Sequence, residues 1–152
     1  MYDGRGGSVV FHYLEMSKNT LGTSMWFPEN SDIGTKTGLG YGKANTYKIL
    51  NADTSEELTK ENCVAYKCSK YSTKKTKAGE WWLPSKDELE LMYKNQKKRV
   101  LASCGDEQFD EYHLSSSEGD FRFPWNLRFN CEEPDYSVRK IFSHSVRAVR
   151  AF

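Results

Sequence analysis

The sequence predicts an α+β domain, and three observations carry that prediction. A capped, amphipathic helix signal starts at Ser85, in the middle of the chain. From residue 112 onward, short runs rich in Phe, Tyr, Val and Ile alternate with turn residues, as antiparallel strands do. The 152 residues suffice for one domain with a real core but would leave two domains marginal, and no repeat or linker divides them.

In chain order, Gly6-Gly7 is a turn signal, and the apolar run at 9–14 reads as a buried strand. Met25-Trp26-Phe27, ahead of Pro28, reads as a second short strand. Gly34, Gly38, Gly40 and Gly42 stand among polar residues in 30–44, which marks a loop. Helices are predicted over 44–50 and 55–71; Leu58, Cys63, Ala65 and Tyr66 give the second an apolar face, and Thr54 or Ser55 a cap.

Trp81-Trp82-Leu83-Pro84 is the densest apolar patch and leads straight into Ser85-Lys86-Asp87-Glu88. That spacing is a capping box, in which the serine hydroxyl accepts a free backbone N–H and the glutamate reaches back. The helix carries Leu89, Met92 and Tyr93 on one face and runs to Leu101, with Lys97, Lys98 and Arg99 near its negative end. Strands are predicted at 111–116, 122–130, 136–142 and 144–151; the last alternates small or apolar with polar residues.

Composition excludes several classes. Aromatics make 14% of residues, too many for a disordered chain. Mean hydropathy is −0.76, so much of the chain is surface. A net charge of +1 gives no global attraction to nucleic acid or to an anionic membrane. Lys67, Lys70, Lys74, Lys75 and Lys77 read as a solvated basic loop, because no phosphate-binding motif accompanies them. No run is apolar enough to span a bilayer. Residues 1–7 do not read as a signal peptide, so export requires another route or a leader no longer attached; the alternative is action where the protein is made. Cys63 and Cys68 lack the second close pair that a zinc site needs, and a disulfide between them stays open.

Three segments, Gly79-Glu80-Trp81-Trp82-Leu83-Pro84-Ser85-Lys86-Asp87-Glu88-Leu89, Ser115-Ser116-Ser117-Glu118 and Val146-Arg147-Ala148-Val149-Arg150-Ala151-Phe152, share an order and spacing with a known family. In these segments the chain resembles bacterial and phage domains related to the Lcl C-terminal domain. The early Gly-Gly and Gly40-Tyr41-Gly42-Lys43-Ala44-Asn45-Thr46 resemble the first half of that family. The resemblance implies a C-type-lectin-like fold with two or more helices and a short-stranded antiparallel sheet, distantly related to formylglycine-generating enzymes. Where the family usually has Trp before Ser-Ser-Ser-Glu, this chain has Leu114.

Some members of the family are variable proteins of diversity-generating retroelements, whose C-terminal coding segment is rewritten at adenines of AAC or AAT codons. Such codons cannot become Lys, Glu, Gln, Met or Trp codons. Between Gly119 and Ser145 this set is confined to Trp125, Glu132, Glu133 and Lys140. Fourteen lysines precede Glu118 and one follows it, whereas five of the seven arginines, which remain encodable, follow it. Trp125, Phe129 and Lys140 match fixed scaffold positions; Glu132 and Glu133 do not arise from the expected codon change.

The resemblance implies a single domain over 1–152: a scaffold over 1–118, a ligand-binding region over 119–145 and a closing strand over 146–152. The expected contact residues are His113, Leu114, Asp120, Phe121, Arg122, Phe123, Leu127, Arg128, Asn130, Cys131, Tyr136, Arg139, Phe142 and His144. Aromatic side chains among arginines are the groups that anchor protein interfaces. The expected partner is a protein on a cell or phage surface, with no cofactor, no metal, no nucleic acid and no membrane insertion; the expected location is a cell surface, the exterior or a phage particle.

The main alternative is an undiversified surface or adhesion module of the same fold. A calcium-dependent lectin is a weaker one: Glu133-Pro134-Asp135 and Trp125-Asn126-Leu127 match lectin loops only in part, and calcium needs several oxygen ligands. An enzyme is not expected. Nothing beside Cys104 or Cys131 would make a thiolate, and His12, His113 and His144 have no evident nucleophile partner.

Overall fold

The structure, a computed structural model, describes residues 13–26, 32–52, 62–100, 112–128 and 138–152. Within them the architecture is α+β: three helices and two small sheets. Strands β1 (Leu14–Met16) and β6 (Val149–Ala151) pair antiparallel, with Leu14 opposite Ala151. The second sheet runs in the order β2 (Thr23–Met25), β5 (Ser143–Ser145), β3 (Tyr112–Glu118), β4 (Pro124–Arg128). Its pairings are antiparallel except β3 with β5, which meet in parallel at His113 and Ser145.

Helix α1 (Gly42–Leu50) begins two residues earlier than the sequence suggests, on a glycine that the packing demands. A Cβ on Gly42 would lie 2.1 Å from Glu88 Oε2 and 2.8 Å from the Leu83 carbonyl oxygen. Helix α2 (Val64–Lys70) is the C-terminal part of the helix expected over 55–71; residues 53–61 lie outside the described residues. Its start is fixed by Cys63, which is extended and bridges Met25. Cys63 and Cys68 are both buried with no disulfide between them, and burial pushes the Cys68 thiol far up.

Helix α3 (Lys86–Val100) starts at the capping box as expected. Ser85 N–H donates to Glu88 Oε2 at 2.9 Å, and Glu88 N–H donates to Ser85 Oγ at 3.3 Å. The other carboxylate oxygen of Glu88 accepts the Gly40 N–H at 3.0 Å, tying the 32–41 loop to the helix start. Burial raises the Glu88 pKa, and the N–H groups of Ser85 and Gly40 partly offset this.

Several strand boundaries differ from expectation. The first strand occupies Leu14–Met16, and residues up to 12 lie outside the described residues. The second ends at Met25, because Trp26 turns into the core and donates its indole N–H to the Ser115 carbonyl at 2.7 Å. The described part of the 136–142 strand is instead a turn, closed by Phe142 N–H on the Arg139 carbonyl at 3.0 Å. The strand expected over 144–151 is broken at Val146, Arg147 and Ala148, which are all buried and so do not alternate. Arg147 points inward, with its guanidinium on the carbonyls of Ser17 and Lys18 at 3.1 and 3.0 Å.

Two apolar clusters fill the interior. One joins Trp26, Ile49, Val64, Trp81, Leu83 and Leu114; the other joins Trp82, Leu89, Met92, Leu127 and Val149. Each such side chain contributes about 1.5–3 kcal/mol on burial.

Candidate functional site

The Ser115-Ser116-Ser117 run meets Pro84, Lys36 and Asn45, distant in sequence, inside the fold. Ser115, Ser116 and Ser117 are all buried, and each hydroxyl is used. Ser115 Oγ donates to the Trp125 carbonyl at 2.7 Å, Ser116 Oγ to the Pro84 carbonyl at 3.1 Å, and Ser117 Oγ to the Lys36 carbonyl at 2.8 Å. Asn45 Nδ2 donates to Ser116 Oγ at 3.2 Å, and its Oδ1 accepts the Lys36 N–H at 2.9 Å. Serine suits this run because a small hydroxyl satisfies buried backbone groups that a larger side chain would cover.

Glu118 ends β3 and ties the strand to two distant segments. Its carboxylate accepts the N–H of Ile33 at 3.0 Å and of Thr35 at 3.3 Å, and receives Lys140 Nζ at 2.7 Å. Lys140 is fully buried and also lies over the Trp26 ring, 4.3 Å from its centroid. Lys140 and Glu118 thus form an internal ion pair.

Above this pair the β3–β4 hairpin turns at 119–123. Asp120 Oδ1 accepts the N–H of Arg122 at 2.7 Å and of Phe123 at 3.0 Å, an Asx turn that fixes the tip. Gly119 and Asp120 N–H both donate to the Phe123 carbonyl, at 2.8 and 3.1 Å. Lys140 N–H donates to the Arg122 carbonyl at 2.9 Å and joins the 139–142 turn to this tip. Phe121 is 47% exposed and Phe142 54% exposed, and Arg122 is exposed with its guanidinium near the rings of Phe121 and Phe123.

The expected contact residues thus divide. Phe121, Arg122 and Phe142 are exposed on adjoining turns, with Phe123 and Arg139 half-buried beside them. Asp120 is exposed, but its carboxylate builds the turn. Arg128 and His144 are half-buried and meet on Tyr112: Arg128 lies over its ring at 5.8 Å, and the His144 ring stands edge-on at 5.9 Å. Tyr112 lies within the strand expected over 111–116 and is not among the expected contact residues.

His113, Leu114 and Leu127 are corrections. All three are buried, so they support the sheet rather than touch a ligand. The reason is that β3 is covered on both faces, with α1 and α3 packed against it, which removes the alternation that would have exposed every second residue. Asn130, Cys131 and Tyr136 lie outside the described residues, as do Phe129, Cys104 and the lectin-like 133–135.

Among the described residues no group of three or more His, Cys, Asp or Glu is placed to hold a metal ion, and no helix is long and apolar enough to cross a membrane. Comparison of this chain with protein families, with curated proteins and with solved structures gives no match.

Proposed function

We propose that this chain is a ligand-binding variable protein of C-type-lectin-like fold, whose contact surface is rewritten by a diversity-generating retroelement and recognises a protein on a cell or phage surface. One observation carries the reading. Two turns within 119–145 present Phe121, Arg122 and Phe142 to solvent, while their backbones are fixed from below by the Glu118–Lys140 pair and the Lys140–Arg122 hydrogen bond. A surface that changes its side chains without unfolding needs this separation of contact from support.

The codon pattern adds to it. Phe and Arg are encodable with a terminal pyrimidine and occupy the exposed positions, whereas Lys, which is not, occurs after Glu118 only at buried Lys140. An undiversified adhesion module would share the same contact surface and differ only in its gene.

The test is the DNA beside the coding sequence. The expected finding is a near-copy of the segment encoding 112–150, with AAC or AAT codons at the positions of Phe121, Arg122 and Phe142, next to a reverse transcriptase gene. A native locus lacking both contradicts the diversification and leaves the adhesion module.

A further inference from the structure

Resting on this contact-surface reading, we infer that the partner presents a carboxylate side chain bordered by apolar groups, and that Arg122 receives it. The Arg122 backbone is held at both ends, its N–H by Asp120 Oδ1 at 2.7 Å and its carbonyl by the Lys140 N–H at 2.9 Å. Its guanidinium carbon lies 4.7 Å from the Phe121 ring centroid and 6.0 Å from that of Phe123. Attraction to the rings does not consume the N–H donors along the edge of the guanidinium.

No carboxylate among the described residues pairs with that edge. Asp120 is committed to the backbone N–H groups of Arg122 and Phe123, and Glu118 to Lys140, Ile33 and Thr35. A planar fork of donors already held near two rings matches a carboxylate bidentately and loses little side-chain freedom on binding. Free phosphate would satisfy the fork but would leave the exposed rings of Phe121 and Phe142 uncovered. An acidic side chain set among apolar ones on a protein covers both and dries the ion pair, which strengthens it.

The test uses a random-peptide phage-display library panned on the folded chain. Synthetic peptides from the recovered consensus are then titrated against wild type, R122Q, F142A and the remote surface variant K75Q. The expected consensus holds Asp or Glu beside aromatic or aliphatic residues. R122Q, and Asp→Asn or Glu→Gln in the peptide, should each weaken binding about tenfold or more, with the double change no worse than either alone. K75Q and added inorganic phosphate at the peptide concentration should change nothing. Peptides that need Phe142 but bind R122Q equally well, or binding abolished by phosphate alone, overturn the carboxylate inference and leave the contact surface in place. A consensus indifferent to both Arg122 and Phe142 overturns the contact-surface reading itself.

Discussion

Lys140 Nζ lies 2.7 Å from Glu118 Oε1, with the lysine side chain wholly buried. An ion pair taken out of water is worth little net, but removing one partner strands the other. Lys140→Met should therefore destabilise the fold by about 3–5 kcal/mol, because the Glu118 charge stays buried. Denaturant midpoints check this, and the double variant E118Q/K140M should recover part of the loss. A single variant within about 0.5 kcal/mol of wild type would mean that the pair opens to water.

The two leucines reassigned from surface to core give a sharp contrast with the exposed rings. Leu127→Ala and Leu114→Ala should each cost about 2–5 kcal/mol by leaving cavities. Phe121→Ser and Phe142→Ser should stay within about 0.5 kcal/mol, as exposed substitutions do. Thermal melts of the four variants separate the two sets.

Trp82 is 3% exposed, packs with Leu89, Met92, Leu127 and Val149, and exchanges two backbone hydrogen bonds of 2.9 Å with Val149. Trp82→Ala should cost about 3–5 kcal/mol. The backbone bridge survives the substitution, so the loss reads packing; an unchanged urea midpoint would place the ring outside the core.

Glu88 supplies a pH signature. Burial raises its folded pKa above the unfolded value, so its contribution is fully present below the usual carboxylate range and is lost as pH rises through the folded pKa. Glu88→Gln keeps the shape but turns an amide N–H₂ toward one of the two N–H donors, at a cost of about 1–3 kcal/mol. The gap between wild type and E88Q should narrow as pH climbs from acid toward neutral. A gap that widens over that window would show the carboxylate stabilised in its ionised form.

Much of the scaffold was legible because its signals are local. Ser85 and Glu88 lie three residues apart, and the cap they form needs no tertiary information. The α+β layout came from the change of periodicity. Two departures from expectation come from pairing with residues distant in sequence. Lys140 turns inward to meet Glu118, so an apparent strand at 136–142 became, in its described part, a turn. Arg147 stands in a stretch expected to alternate as a half-buried strand, yet it is buried on the carbonyls of Ser17 and Lys18, 130 and 129 residues away. His113 and Leu114 sit in a strand covered on both sides, and a strand of that kind shows no alternation to read. Phe121, Arg122 and Phe142, named from the sequence as surface positions, are exposed, and the turn that carries the first two is built by the adjacent Gly119-Asp120.

Whether a stiff body carries interchangeable side chains on its two turns is read most directly from the thermal midpoint of a library in which codons 121, 122 and 142 are randomised to end in a pyrimidine. Most members should melt within a few degrees of wild type. Cooperative unfolding lost, or midpoints lowered by about ten degrees or more in most members, would show that these side chains hold the fold together and are not a display surface.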